Sequence, residues 1–466
     1  MGEKVLELRR LRFYSKFKNW FFYSSFFPLL IGLICTLSWY NDTPLLGLAV
    51  IVFFACYIFL SQLDVTPIIP LLFSVIMIFR SLATAFTIEM YLVLAPVIIC
   101  IFIRIFKHRG KLKIGNLTFP LILVSVALAI GGAFTIYYED FLYGISSIVT
   151  IGPALLIVYL FFLNFAKPPK SVSLKLYFTK CLVFFVFFAC IELGCLLYHQ
   201  TILKDTMFRV NELGWANKNN IGTLVLMAVP LCFYLIARTG HAVRWFFMII
   251  FLSALGYLTT SSGTIAFLTL SFPFLIIYTY YKSPEKTKPT YRCLFFALIS
   301  LVIGCVCVVI VLKGNFVVAF INEALSDSGR TNLYNEATSL ALRHPLFGVG
   351  LGYYNDRFSS LLSDFRIMNF HSTFFHVFAT MGVVGLIAYA YYYYCRIKTL
   401  LLKPSRYSVF AFVSFMLFAC YAMIDTCESQ MIPTLIVLTM IFIVAEIDAE
   451  KPILHDHLYA SLMNRP

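Results

Sequence analysis

Charged side chains are scarce in this chain. Asp, Glu, Lys and Arg make up 12% of its 466 residues, whereas hydrophobic residues make up 61% and aromatic residues 17%. The mean hydropathy is +0.88. This balance excludes a soluble domain of such length, because its surface could not be kept in water. The composition predicts a polytopic integral membrane protein.

Motifs for metal or nucleotide chemistry are also missing. The 13 cysteines include no Cys-x-x-Cys pair, and most of them fall inside apolar runs, where cysteine is a small packing residue. No cluster of His, Cys or acidic residues has the spacing of metal ligands, and no phosphate loop of the P-loop kind is present. The sequence therefore predicts no metal and no cofactor, and nothing in it suggests a nucleotide-driven pump.

Apolar runs near the length of a membrane span dominate what is present. Backbone amides in hydrocarbon must be satisfied within their own segment, and the runs do not alternate in polarity, so an all-α fold is expected. The short run before Arg80 is the least certain span, and it could be a re-entrant or broken helix. A window of about 20 residues predicts about twelve to fourteen spans, at most these: 21–40, 45–62, 66–80, 87–106, 117–136, 143–165, 181–199, 219–237, 245–260, 263–281, 293–312, 372–395, 407–425 and 431–447.

The positions of the basic residues predict the orientation. With a cytoplasmic N-terminus, the inner loops hold 27 of the 36 Lys and Arg residues, counting Arg396 among them. Such a bias is described by the positive-inside rule, and it accounts for the net charge of +14 without nucleic acid as a partner. Both termini are then cytoplasmic. The chain divides into transmembrane helices with short loops at 1–313, an extracytoplasmic loop at 314–371, and transmembrane helices with a cytoplasmic tail at 372–466.

The outer loop at 314–371 carries one arginine of particular interest. Arg330 stands just before a predicted helix, 331–343, so its guanidinium and the first amides of that helix could converge on a pyrophosphate. A surface arginine paired with Asp327 or with a lipid phosphate is the alternative. The helix prediction rests on an apolar stripe, ended by Pro345, that comprises Leu333, Ala337, Leu340 and Ala341.

A histidine stands where this loop meets the next apolar segment. His371 lies beside Ser372, and imidazole can take up a proton near neutral pH, so His371 is a candidate general base. An ordinary interfacial histidine is the alternative, and His376 is expected to be a packing residue. In the preceding turn, Gly348 and Gly350 could let backbone approach a ligand closely, or could form a turn and nothing more.

A second outer loop ends in a run of amide side chains. Trp215 could stack on a sugar ring, and Asn217 and Asn219 could bind sugar hydroxyls. The alternative is a helix N-cap, with Asn219 or Asn220 satisfying the first amides of the next span.

Together these motifs resemble a known family. Gly329-Arg330, a helix, His344-Pro345-Leu346-Phe347-Gly348-Val349-Gly350, Asn369-Phe370-His371-Ser372 and Gly382-Val383-Val384-Gly385 are similar to the signature of the O-antigen ligase and polymerase superfamily of bacterial envelope glycosyltransferases. The resemblance implies a lid-bearing helical membrane fold and metal-independent glycan transfer from undecaprenyl pyrophosphate at the outer face of the inner membrane. It implies that Arg330 grips the pyrophosphate and that His371 is the base.

The chain departs from this pattern in one place. Ligases of the family often carry a second arginine between the ninth and tenth spans, where this chain has Thr259-Thr260-Ser261-Ser262-Gly263. The hydroxyl of Ser262 could bind a phosphate oxygen but brings no charge. Arg80, expected near the outer end of a span, is a hypothetical source of the missing charge.

The sequence leaves the acceptor open. A polymerase joins the growing chain to another lipid-linked repeat unit and is favoured, whereas a ligase delivers finished polymer to lipid A core or another acceptor. Expected partners are the lipid-linked glycan, the bilayer, a flippase and a chain-length regulator.

A lipid-linked oligosaccharide flippase is the rival function, but no internal repeat is seen and Glu192 is the one clear charge in mid-span. Asp425 and Glu428 could line a site or face water.

Overall fold

The computed structural model describes most of the chain as helices. The described residues are 18–61, 64–80, 88–107, 110, 112–133, 148–149, 151–201, 213–239, 241–259, 261–284, 288, 291–293, 295–299, 330–351, 370–402, 404–430 and 432–447. The predicted span at 293–312 falls largely outside these residues. So do residues 314–329 and 352–369 of the long loop. The division at 313 and 371 and the total number of spans therefore stay predictions.

We number the described α-helices in chain order. Several begin or end within two residues of a predicted span, and the short run before Arg80 is a short helix continued by a 3₁₀ turn at Val75–Ile78. The helices are α1 Phe26–Tyr40, α2 Pro44–Ser61, α3 Ile68–Ser74, α4 Ile88–Lys107, α5 Thr118–Ala133, α6 Pro153–Phe165, α7 Leu174–Thr201, α8 Lys218–Thr239, α9 Ala242–Leu258, α10 Ser262–Lys282, α11 Arg330–Arg343, α12 Thr373–Leu401, α13 Arg406–Ala422, α14 Cys427–Gln430 and α15 Ile432–Ile447.

The predicted fold class is confirmed: the protein is an all-helical, polytopic membrane protein. Among the described residues, six helices are long and apolar enough to cross a bilayer, namely α2, α4, α7, α8, α10 and α12. Shorter apolar helices of 10–17 residues pack among them. Helices of this kind satisfy their own backbone groups, as hydrocarbon requires.

Helix α8 lies at the centre of the bundle. In its apolar window 94% of the residues are buried inside the protein, and it packs against α7, α9, α10 and α13. A helix that is apolar on every side is expected in such a position. The enclosed part of α8 runs from Ile221 to Ala237, whereas its first turn, 218–220, is only partly buried.

Helix α12 is interrupted at Gly382, whose φ of 62° and ψ of −155° are not helical. The turn 344–350 lies against this break. Amides of Val349 and Gly350 donate to carbonyls on one side of it, and the amide of Val383 donates back to the turn, over 2.8 to 3.0 Å. The backbone groups freed by the break are thereby satisfied.

A buried ion pair shows how far α12 bends. Arg396 is fully buried, donates to both carboxylate oxygens of Glu428, and stacks 3.7 Å from the ring centroid of Tyr392. The amide of Glu428 also lies 3.5 Å from the hydroxyl of Thr373, in the first turn of α12. A straight helix would separate Thr373 from Arg396 by about 35 Å, more than these side chains can span. The helix axis therefore changes direction at Gly382.

The same pair corrects one expectation about Arg396. Arg396 does not lie in an inner loop, as its inclusion in that count assumed, but is buried inside α12. A guanidinium bonded at two points to a carboxylate can be buried where an unpaired one could not.

Candidate active site

His371 immediately precedes α12 and has a backbone conformation that is unusual for its type. Its φ is 47°, in the left-handed region that costs a non-glycine residue about 1–3 kcal/mol and that is frequent at functional sites. Ser372 follows in extended conformation as the N-cap residue of α12. The histidine side chain is 35% exposed, while its Nδ1 atom is buried.

Asp425 is the partner of His371. The Nδ1 atom of His371 lies 3.5 Å from Oδ1 of Asp425, whose side chain is only 8% exposed. Asn219, in the first turn of α8, donates to Oδ2 over 3.1 Å, and the amide of Thr426 donates to Oδ1 over 2.8 Å. Thr373 donates to the backbone carbonyl of Asp425 over 3.3 Å. The carboxylate is thus held by α8 and its own turn, and the backbone of Asp425 is held by α12, with Oδ1 on the side of the imidazole.

Tyr334 joins α11 to this pair. Its hydroxyl donates to the carbonyl of His371 over 3.2 Å, and its ring stacks on Phe375 with centroids 4.4 Å apart. Burial raises the pKa of Tyr334, and the Asp425 carboxylate raises it further, while the Arg330 guanidinium opposes them. Arg330 and Asp425 therefore both act electrostatically on Tyr334.

The apolar stripe of α11 anchors the helix. Ala337 and Leu340 are buried with Phe370 and Ala379, and Leu333 packs against them. The predicted helix and stripe are confirmed, with the helix beginning one residue earlier, at Arg330. Arg330 is thereby fixed one turn before Tyr334.

Four helices begin around this group: α8, α10, α11 and α12. Asn219 of α8 binds Asp425, and Ser261, the N-cap residue of α10, lies 2.9 Å from the hydroxyl of Tyr421 at the end of α13. Neither Ser261 nor Ser372 caps its helix with a side-chain hydrogen bond. Helix N-termini carry partial positive charge, and Arg330 is the first residue of α11, so a group of helix starts here suits a multiply charged anion.

Comparison with protein families identifies part of the chain. Residues 246–390 match the O-antigen ligase family. A comparison with curated proteins finds no match. The O-antigen ligase match runs from α9 into α12 and includes Arg330, Tyr334 and His371, whereas Asn219 and Asp425 lie outside it. Members of this family are ligases and polymerases of bacterial surface polysaccharide. The chain is similar to them over these residues, and it is a multi-pass membrane protein.

The amide run before α8 divides into two tasks. The side-chain carbonyl of Asn217 accepts from the amide of Asn220 over 3.0 Å, so Asn217 supplies the N-cap that had been expected of Asn219 or Asn220. Asn219 instead binds Asp425.

Ser262 is exposed in the first turn of α10, next to the buried Ser261, and its role in phosphate binding stays a prediction.

The two turn glycines do not leave their amides for a ligand. Gly350 donates to Thr380 and Gly348 donates to His344, each over 3.0 Å. A Cβ on Gly348 would come within 2.4 Å of the backbone of Thr380. Gly348 and Gly350 let one stretch of backbone approach another at the break in α12, and their role in ligand binding stays a prediction.

Trp215 and Arg80 also have contacts other than those expected. Trp215 is 3% exposed and donates its indole N–H to Glu192 over 2.8 Å, so its ring presents no open face to a sugar. Arg80 donates to the carbonyl of Trp39 over 2.6 Å and to that of Tyr40, at the C-terminus of α1. These are contacts of a helix C-cap, and they do not support Arg80 as the missing phosphate ligand.

Sequence reasoning gave Asp425 no definite role and overlooked Tyr334. An acid between two apolar runs was the available signal for Asp425, since ionisable residues at such depth are usually functional. For Tyr334 the signal was its spacing of four residues from Arg330, which places both on one face of α11.

Proposed function

We propose that the protein transfers a glycan from undecaprenyl pyrophosphate to a sugar hydroxyl, as a polymerase of O-antigen, capsule or exopolysaccharide. The reaction takes place at the outer face of the bacterial inner membrane, with both termini in the cytoplasm. The observation that carries the proposal is the His371–Asp425 pair, which contacts the first turn of α8 through Asn219 and α11 through Tyr334.

His371 acts as the general base. With Asp425 3.5 Å from Nδ1, the tautomer that carries its proton on Nδ1 is favoured, so the proton of the acceptor is taken up at Nε2. The acceptor hydroxyl gives its proton to Nε2 while its oxygen bonds to the anomeric carbon. The bond from that carbon to the pyrophosphate oxygen breaks, and its electron pair leaves with undecaprenyl pyrophosphate.

Arg330 and the helix N-termini stabilise the leaving pyrophosphate. Fixed donors aimed at a developing charge lower the barrier because they need no rearrangement during the reaction. Pyrophosphate is already a good leaving group, so the proposal needs neither a general acid nor a metal. Within the described ranges, no group of three or more His, Cys, Asp or Glu side chains is arranged to hold a metal ion.

The polymerase is favoured over the ligase by the uncharged start of α10. Where ligases often carry a second arginine, this chain has the hydroxyls of Ser261 and Ser262, and Arg80 binds the end of α1 instead. A ligase that delivers finished polymer to lipid A core or another acceptor is the second candidate. An upstream flippase and a chain-length regulator are the proposed protein partners.

Deletion of the gene tests this choice. The glycans that remain on undecaprenyl pyrophosphate are extracted and sized by mass spectrometry. Single repeat units on the outer side are expected for a polymerase, and full-length polymer stranded on the carrier would indicate a ligase. Lipid-linked units held on the cytoplasmic side would overturn both and indicate a flippase.

A further inference from the structure

We propose that Glu192 is a positioning residue for the His371–Asp425 pair. It binds Trp215, and through the segment 213–219 it sets Asn219 against Asp425. The inference rests on the proposed function, because its effect is exerted on the proposed base.

Glu192 is a fully buried carboxyl group within the α7 span. One carboxyl oxygen accepts from the indole N–H of Trp215 over 2.8 Å, and the other accepts from the hydroxyl of Thr36 over 3.1 Å. Acidic residues at this depth are costly and usually have a function. Here the carboxyl group ties the segment before α8 to α7 and to α1.

Two further contacts fix the beginning of the same segment. The indole N–H of Trp39 donates to the carbonyl of Leu213 over 2.9 Å. Gly214 has a φ of 88°, and a Cβ there would lie 1.6 Å from the carbonyl oxygen of Arg80. The backbone of 213–215 is therefore held between α1, α7 and Arg80.

The segment then runs directly into the candidate site. Asn217 caps α8, and Asn219 donates to Asp425 over 3.1 Å. Trp215 and Asn219 are four positions apart, and so they lie at most about 14 Å from each other. A shift at Trp215 thus moves the cap and the first turn of α8. Since a misplacement of about 1 Å can cost about 100-fold in rate, the contact with Glu192 bears on catalysis without touching substrate.

Trp215→Phe is the first test, because it removes the N–H and keeps a buried aromatic ring. In purified protein reconstituted with a lipid-linked glycan, kcat is expected to fall about 10- to 100-fold while KM changes little. Trp245→Phe is the matched control: Trp245 is fully buried and donates to Thr239, at the other end of α8 from Asn219, over 3.2 Å. The control is expected to keep the wild-type kcat.

Conservative rescue tests the carboxyl group itself. Glu192→Gln keeps an acceptor for Trp215 and can donate to Thr36, so it is expected to stay within about threefold of wild type. Glu192→Leu removes both hydrogen bonds and is expected to match Trp215→Phe. If Glu192→Gln and Glu192→Leu lose activity equally, hydrogen bonding to Trp215 is not the cause and the inference is overturned.

A double-mutant cycle separates positioning from general stability. If Trp215 acts through Asn219, then Trp215→Phe added to Asn219→Ala lowers kcat little beyond Asn219→Ala alone. Multiplied losses, or a Trp215→Phe variant as active as Trp245→Phe, would overturn the inference while wild-type turnover upholds the proposed function. Absence of wild-type turnover would refute both together. If Trp215→Phe does not fold, Trp39→Phe takes its place in the cycle, since Trp39 holds the same segment.

Discussion

At the scale of single residues, His371 depends on groups that come from three separate parts of the chain. Its ring meets Asp425, and Asp425 is bound by Asn219 from α8. Its carbonyl accepts from Tyr334 on α11. A carboxylate 3.5 Å from the ring orients the imidazole, as a general base requires.

Asp425→Asn tests the orienting role of the carboxylate. The side chain keeps its shape, but it loses the charge that stabilises a protonated His371 and can present N–H to Nδ1. We expect kcat to fall roughly 100- to 10,000-fold with protein yield unchanged, measured as glycan transfer in proteoliposomes. Wild-type turnover by this variant would show that Asp425 has no part in catalysis.

Arg330→Ala tests the anion site. Loss of a charged donor at the leaving group is expected to cost about 100- to 1,000-fold in kcat/KM, and Arg330→Lys should recover only part of it, because an ammonium group lacks the forked geometry. Arg343→Ala is the control, since Arg343 ends the same helix and is exposed. Equal losses in both variants would point to lipid attraction by α11 rather than to a pyrophosphate site.

At the scale of elements, the turn 344–350 and α11 pack against α12 at and before its break at Gly382. The turn 344–350 supplies hydrogen bonds on both sides of Gly382, and α11 is packed on the half of α12 that follows His371. The helix that carries His371 at its start and Arg396 near its end therefore bends around the loop that carries Arg330.

Gly348→Ala tests this interlock. A Cβ would lie 2.4 Å from backbone, at a residue whose φ is 69°, so we expect a loss of about 2 kcal/mol or more in unfolding free energy. Gly194→Ala is the control, because a Cβ there meets nothing nearer than 4.0 Å and helical alanine is favoured by up to about 1 kcal/mol. Thermal unfolding in detergent measures both, and a Gly348→Ala protein as stable as wild type would contradict the interlock.

At the scale of the whole molecule, composition and periodicity predicted the membrane class, most helices and the amphipathic α11. Local sequence could not predict that Asp425 faces His371, because the two residues lie on separate segments that meet only through tertiary packing. For the same reason the sequence placed Arg396 in a loop: its partner Glu428 lies 32 residues away. The residue type of Trp215 suits sugar stacking, whereas only the structure shows that its indole N–H donates to the buried Glu192.

The orientation of the molecule can be tested with two cysteines. Cys293 is exposed and is expected on the cytoplasmic side, whereas Arg343 is exposed on α11 and is expected outside. With all other cysteines replaced, a membrane-impermeant maleimide should label Arg343→Cys in intact spheroplasts, and Cys293 only after permeabilisation. The reverse labelling would invert the orientation and move the site to the cytoplasm.

The most direct measurement is glycan transfer by purified wild-type protein and by His371→Ala, with lipid-linked repeat units as substrate. The account predicts that wild type releases undecaprenyl pyrophosphate and that His371→Ala loses about 100- to 10,000-fold in kcat, while His344→Ala, at an exposed histidine of the same loop, keeps the wild-type rate. Wild-type turnover in the His371→Ala protein would contradict the assignment of His371 as the base.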